Sequence, residues 1–267
     1  MRRKSKLAQQ RARTNVIIGS IFILAVAAVI GAVVWWSAQK PDPLDPQTLC
    51  PLKGPLGHQV LLVDRTDPFN EAQKAAFDNM ARDLVEKLPT AHLFSVFVLG
   101  EDFKSETKPL IELCNPGTGE DKSNLTENTK ALRRQYTKNF IEPLQGITTE
   151  LLSTASAQQS PILEMLQLVY LNSIQAHKAQ GPITLYVLSD LLQYSNAVDM
   201  YHGTPDFAKY DATYQAKKLY VDLSGVDVKV VLLNNNIRNQ NPSFMEFWQS
   251  YFKRANVHSL EISNLPG

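Results

Sequence analysis

The sequence predicts an α/β domain: a doubly wound, mostly parallel six-stranded sheet with one antiparallel edge strand, carried behind one N-terminal transmembrane helix. Three observations predict it. Short apolar segments of strand type alternate along the chain with longer stretches of helical period, the pattern of a mostly parallel sheet with helices on both faces. The central apolar segments, Val60–Val63, Leu93–Leu99 and Ile183–Leu188, are near-continuous, as strands buried on both faces are. Val16–Trp36 is a run of 21 residues without a charge, long enough for a hydrocarbon core that needs about 20 residues.

Residues 1–15 carry Arg2, Arg3, Lys4, Lys6, Arg11 and Arg13 and no acid. This basic tail is expected to stay cytoplasmic, so that the bulk of the chain lies across the membrane. Trp35 and Trp36 close the apolar run of 16–36 as interfacial aromatics do. A cleaved signal peptide usually has an apolar region of about 7–15 residues with small residues before the cut. Here the run is longer and Trp36 stands at the −3 position of the only evident cut, after Ala38, so an uncleaved anchor is expected. Ala27, Ala28, Gly31 and Ala32 lie at helix spacing that suits close approach of two anchors, hence a homo-oligomer. No acid interrupts the run, which argues against a proton-relay role.

Residues 37–57, with Pro41, Pro43, Pro46, Pro51 and Pro55, read as a stiff linker to a domain over 58–267. Asn70–Leu88 is amphipathic, with Ala72, Ala76, Phe77, Met80, Leu84, Val85 and Leu88 on one side. Leu110–Leu113 is a short strand bounded by Pro109 and the turn Asn115-Pro116-Gly117. It follows the Leu93–Leu99 strand after a brief link and is therefore the antiparallel edge. Residues 117–128 form a polar loop, with the sequon Asn124-Leu125-Thr126. A helical region follows over Glu127–Leu152, and Pro143 either kinks it or begins a second helix. Pro161–Ala179 is a strong helix, residues 191–206 are a long connection, and Phe207–Leu223 reads as one helix. Val226–Leu233 is a strand, Pro242–Ala255 a helix and Val257–Ile262 the last strand.

The hydrophobic fraction of 44% and charged fraction of 20% are ordinary for a globular protein. Setting the six basic residues of the tail aside leaves 21 basic against 26 acidic residues, a charge near −5. Nothing in that remainder resembles a nucleic-acid footprint. The two cysteines, Cys50 and Cys114, flank the first strand and the short edge strand. An extracytoplasmic setting permits a disulfide between them. His58, His92, His177, His202 and His258 sit at no metal-ligand spacing, and there is no zinc signature.

The chemistry concentrates where strands end. Val60–Val63 stops at Asp64-Arg65-Thr66-Asp67-Pro68, and Ile183–Leu188 stops at Ser189-Asp190. In open α/β sheets ligands sit at the carboxyl ends of the strands. Ser160, before Pro161 at a helix start, belongs on the same edge. Asp64, Thr66, Ser160 and Asp190 together suit an oxygen cage for Mg²⁺, Mn²⁺ or Ca²⁺. The plainer alternative is that Thr66 or Asp67 caps a helix beginning near Pro68, that Ser160 is an N-cap and that Asp190 is a turn carboxylate. The 191–206 connection adds Tyr194, Tyr201, His202 and, just beyond, Phe207, Tyr210 and Tyr214. Such rings either contact a partner or pack onto the sheet edge.

These residues resemble the von Willebrand factor A-like (integrin I-like) family. That family carries Asp-x-Ser-x-Ser after its first strand, a Thr in a later helix-start loop and an Asp ending its fourth strand. Asp64 matches the first Asp, Thr66 the first Ser conservatively, Ser160 the loop Thr and Asp190 the fourth-strand Asp. Pro68 stands where the second Ser is expected and cannot coordinate through its side chain. The resemblance covers about residues 58–264, mainly through element order. It implies a metal-ion-dependent adhesion site, here degenerate, and a protein-binding rather than catalytic role. The expected protein is therefore a module of the bacterial inner membrane with a periplasmic domain, part of a larger envelope assembly. Arg65, Asp67, Tyr194, Tyr201 and His202 are its candidate partner contacts. The rival readings are a scaffold without a site and a metal-dependent phosphoester hydrolase using Asp64, Asp67 and Asp190. The hydrolase lacks a Gly-rich phosphate loop, a Gly-x-Ser-x-Gly elbow and an Asp-x-Asp pair.

Overall fold

A computed structural model of the protein describes residues 2–38, 43–100, 107–119, 129–151, 157–235 and 239–265. The Asn124–Thr126 sequon lies outside the described residues. The chain divides into two units, Met1–Pro43 and Leu44–Gly267. The first is one helix, α1 (Arg2–Ala38). Within it Ile17–Ser37 has a mean hydropathy of 2.9 over 21 residues, long and apolar enough to cross a membrane.

The second unit is α/β. Its sheet comprises β1 (Gly57–Asp64), β2 (His92–Leu99), β3 (Ile111–Cys114), β4 (Ile183–Ser189), β5 (Val226–Leu232) and β6 (Ser259–Asn264), in the order β3-β2-β1-β4-β5-β6. β3 runs antiparallel to β2 and every other pairing is parallel. Alternation along β1 divides its side chains between two cores. Val60 and Leu62 join one, Leu61 and Val63 the other, as a strand covered on both faces requires. Toward β5 and β6 one face opens. In β5, Val226, Val228, Val230 and Leu232 are buried while Asp227, Lys229 and Val231 are half-exposed.

α2 (Glu71–Glu86) starts from Asn70, whose side chain accepts from Gln73 N at 2.8 Å while Gln73 Oε1 accepts from Asn70 N at 2.9 Å. This reciprocal capping means that Thr66 and Asp67 do not cap that helix. The Glu127–Leu152 expectation is met over its described part by α3 (Thr129–Tyr136), a π-helical turn Thr137–Ile141 and α4 (Glu142–Leu151). The Glu142 N–H bonds Thr137 O, and Pro143, which has no N–H to give, follows the wide turn directly. The next helix is α5 (Ile162–Val169), then a π-helical turn Tyr170–Ile174 and a short α6 (Gln175–His177), ended by Lys178 at φ 45°.

Phe207–Leu223 is not one helix. It is α7 (Phe207–Asp211), capped by Asp206, then α8 (Tyr214–Lys218), capped by Thr213, then extended chain. Thr213 bonds Ala216 N at 3.1 Å and so begins a new helix rather than continuing the old one. Beyond Lys218, Leu219, Val221 and Leu223 are buried while Tyr220 and Asp222 are exposed, a period of two that a helix cannot keep. α9 (Pro242–Arg254) then places Phe244, Phe247, Trp248, Tyr251 and Phe252 in the core shared with α5.

Residues 44–56 of the proline-rich stretch are folded with the domain. Asp45 Oδ1 accepts from Gln47 N and Thr48 N, Cys114 N donates to Thr48 O at 2.8 Å, and Cys50 and Cys114 form a disulfide with Cα atoms 4.8 Å apart. The bridge spans 64 residues of sequence, for which loop-closure entropy alone corresponds to about 4 kcal/mol. Cys50→Ser is expected to lower unfolding free energy by about 2–4 kcal/mol and to expose residues 44–56 to protease; urea titration and limited proteolysis check both.

A buried polar network underlies the amino ends of β1 and β2. His58, 1% exposed, has Nε2 2.8 Å from Ser95 Oγ and 3.3 Å from Ser173 Oγ. Ser95 Oγ donates to Glu112 Oε1 at 2.7 Å, and His177 Nε2 meets the same oxygen at 2.8 Å. Because Ser95 gives its hydrogen to Glu112, His58 Nε2 is the protonated nitrogen and Nδ1, buried without a partner, is bare. Burial, followed by the charge of His177, lowers the His58 pKa from 6.5 to about 4. The unfolded chain therefore binds a proton that the folded chain refuses between those values, and stability is lost as pH falls from 6.5 toward 4. The loss is expected to reach about 3 kcal/mol and to shrink in His58→Gln, as measured by urea unfolding across that range.

Candidate functional site at the carboxyl ends of the strands

β1 and β4 are neighbours in the middle of the sheet, with Val63 opposite Leu188. Their exits therefore meet on one rim. Asp64 is 3% exposed and each of its oxygens is engaged: Oδ1 accepts from Thr66 N at 2.9 Å and Thr66 Oγ1 at 2.7 Å, and Oδ2 accepts from Ser189 Oγ at 2.6 Å. Ser189 in turn accepts from Leu191 N at 2.8 Å. Thr66 and Ser160 hydroxyls lie 3.4 Å apart. Asp64, Thr66 and Ser160 are thus brought together from two loops, with Ser189 added from β4.

Ser160 is not a helix cap. Its backbone pairs with Tyr194 in both directions, at 3.0 and 2.9 Å. The start of α5 is satisfied from elsewhere: Gln193 Oε1 accepts from Leu163 N at 2.8 Å. The fully buried Gln193 also reaches Glu164 and Ser195, so it pins the 191–206 connection to the helix.

Asp190 is 2% exposed. Oδ1 accepts from Leu192 N at 2.9 Å, while Oδ2 is buried and meets no donor. Leu191 follows at φ 58°, a left-handed conformation that costs a non-glycine residue about 1–2 kcal/mol. The turn is held from three sides. Ser189 Oγ takes the Leu191 N–H, Trp248 Nε1 donates to Leu191 O at 2.9 Å, and Gln240 Nε2 donates to Asp190 O at 3.0 Å and to Leu233 O at 2.7 Å. A strained residue so fully determined by its surroundings is characteristic of a functional rim.

Beside the acids lies a cleft of about 340 Å³ lined by Thr66, Asp67, Ser160, Tyr194, Tyr201 and His202 together with residues 157–159. Tyr194 stands edge-on to Tyr201 at 5.7 Å and to His202 at 6.0 Å between ring centroids. Asp199 shapes this loop by accepting from Tyr201 N, His202 N and His202 Nδ1. The other rings divide differently. Phe207 and Tyr210 pack on Phe247 of α9, and Tyr214 is 76% exposed. Arg65 is half-buried, its N–H on Leu99 O at 3.1 Å, and is not among the residues lining the cleft.

The electrostatics are one-sided. Burial, then the charge of Asp64, holds the Asp190 carboxyl well above its usual 3.8. Burial raises Asp64 too, against the three donors that lower it. Asp67 adds a smaller upward push on Asp190. Burial raises the Tyr201 phenol, as do the charges of Asp190, Asp67 and Asp64, which places that ring in the field of the acids. The donor set is all oxygen: two carboxylates and the hydroxyls of Thr66, Ser160 and Ser189. It suits a hard cation rather than zinc, and the orphaned Asp190 Oδ2 is the atom with capacity to spare. Among the described residues there is no group of three or more His, Cys, Asp or Glu side chains clustered as a metal site.

Ser189, Gln193, Gln240 and Trp248 were not candidates from sequence. Only Ser189 had a signal, its position beside Asp190 at the end of a buried strand. Compared with family models and with curated proteins, the chain finds no match.

Because the folded Asp190 keeps its proton after the unfolded chain has lost it, its contribution is present below about pH 3.8 and is lost as pH rises. Asp190→Asn keeps an oxygen for Leu192 N and removes the buried charge. In chelator at pH 8 it is expected to raise unfolding free energy by roughly 1–3 kcal/mol, with the gain shrinking toward pH 4; urea titrations at the two pH values measure it.

Proposed function

We propose that the chain is a single-pass membrane-anchored protein-binding module of the von Willebrand factor A type, engaging a partner at the rim that carries Asp64, Ser160 and Asp190. One observation carries the reading: two buried carboxylates, one with an orphaned oxygen, beside an open cleft walled by aromatic rings. A site of pure scaffolding has no need to bury such a pair, since an unpaired buried charge is costly. The order β3-β2-β1-β4-β5-β6 with β3 antiparallel supports the family, as do the positions of Asp64 and Asp190 on adjacent strand ends. The apolar helix Ile17–Ser37 supports anchoring, and the basic residues before it favour a cytoplasmic N-terminus with the domain in the periplasm of a bacterial envelope.

A divalent cation such as Mg²⁺ fits the oxygen donors. Asp64, Asp190, Thr66 and Ser160 would hold it, with water completing the shell in place of the side chain that Pro68 lacks. When bound, it supplies positive charge to the buried pair and a coordination position for a partner's oxygen.

The test uses the full chain in its own membrane, with a photo-reactive residue at Gln159 in the cleft and another at Lys229 on the far face. A specific adduct is expected from Gln159 only, and Asp64→Ala is expected to abolish it. In nanodiscs Mg²⁺ is expected to raise the melting temperature, more at pH 8 than at pH 5, since the cation competes with the proton on Asp190. An adduct that persists while Mg²⁺ leaves the melting temperature unchanged removes the cation and keeps the docking rim. Equal adducts from both positions remove the docking rim itself.

A further inference from the structure

We propose that the cleft beside the acidic rim receives an arginine side chain of the docking partner, held against the aromatic wall of Tyr194 and Tyr201 and paired with Asp67. This rests on the docking rim proposed above and names the chemistry of the group that enters it. The first ground is shape. A cleft of about 340 Å³ falls at the lower end of ligand-sized pockets, which run to roughly 300–1,000 Å³, and it is too small for a folded element. A single long side chain fits it.

The second ground is the wall. Tyr194 stands edge-on to Tyr201 and to His202 at 5.7 and 6.0 Å, and all three rings line the cleft. Aromatic faces attract cations, and arginine most often. The rings contribute nothing to a metal shell, so a divalent cation at Asp64 and Asp190 does not account for them.

The third ground is charge. Asp67 lines the cleft. Asp190 Oδ2 is buried without a donor. Asp64 itself is filled by Thr66 and Ser189, which leaves Asp67 as the acid that an incoming cation meets.

The fourth ground distinguishes among cations. Beyond the rings, the lining offers acceptors: the Asp67 carboxylate and the amide oxygens of Gln158 and Gln159. A guanidinium has five N–H donors in a planar fork and stacks on aromatic faces. A quaternary ammonium, as in a choline headgroup, has no N–H to give them. The mixture of ring faces and acceptors therefore selects arginine over a lipid headgroup.

The experiment uses the full chain in nanodiscs with ¹³C-labelled tyrosine rings. N-acetyl-arginine amide is titrated against its neutral isostere, N-acetyl-citrulline amide, and against tetramethylammonium chloride. The arginine probe is expected to shift the Tyr194 and Tyr201 resonances saturably and to bind roughly tenfold tighter than either control. Asp67→Asn and Tyr201→Leu are each expected to weaken it roughly fivefold or more, while Tyr201→Phe, which keeps the ring, leaves it within about twofold. Equal binding of citrulline, tighter binding of tetramethylammonium, or no saturable shift overturns the assignment. The docking rim is judged separately. A Gln159 adduct that free N-acetyl-arginine amide fails to displace defeats the arginine and leaves the rim, whereas loss of any specific adduct defeats the rim.

Discussion

The carboxylate of Asp64 is buried at the end of a central strand, and burial of a charge in such a place is tolerated only where hydrogen bonds replace its water. Two donors come from its own turn through Thr66, and the third crosses from β4 through Ser189. That third bond is possible only because β1 and β4 are paired in parallel with Val63 level with Leu188. It also decides the next turn, since the same Ser189 oxygen takes the Leu191 N–H and helps to hold Leu191 in a left-handed conformation. Asp190, Gln193 and the aromatic loop are positioned downstream of that turn. The rim is a consequence of one side chain's need for donors.

The remainder of the domain holds this rim still. Trp248, fully buried in α9, bonds Leu191 O, and Gln240 bonds Asp190 O and Leu233 O, so the exits of β4 and β5 and the start of α9 move together. Gln73 in the first turn of α2 reaches Asn235 at 2.9 Å and ties the β1 exit to the β5 exit. At the opposite edge of the sheet, the His58–Ser95–Glu112 network and the Cys50–Cys114 bridge secure β1, β2 and β3. Their chemistry is acid-sensitive and redox-sensitive, while that of the rim runs the other way with pH. Burial disfavours the charged form at both ends of the sheet: it lowers the pKa of His58 in β1 and raises that of Asp190 beyond β4.

The elements with strong local signals were legible in the sequence. The near-continuous apolar strands, the 3.6-residue stripe of α2 and the charge-free N-terminal run each follow from side-chain period and composition alone. So did the antiparallel edge at Ile111–Cys114, because a brief link allows little else. Phe207–Leu223 was misread as one helix because its apolar spacing serves both periods over a short span, and Thr213 and the sheet decided between them. The alternative of a cap at Thr66 or Asp67 failed although both have the right residue types. Asn70, with Gln73 three residues on, was the better cap, and it released Thr66 for Asp64.

By itself the sequence determined that a sheet of alternating topology would stand behind an apolar helix, and that acids would close two of its central strands. Those are properties of neighbours along the chain. Only the tertiary structure decided that Ser189 would complete Asp64, that Gln193 would cap α5 from another loop and that Asp190 would keep one oxygen without a donor. The two bonds join residues 30 and 125 positions apart in sequence, and no local period records which strand will lie beside which. The pairing of β1 with β4 settles that, and with it which buried carboxyl has both oxygens satisfied and which keeps one without a donor.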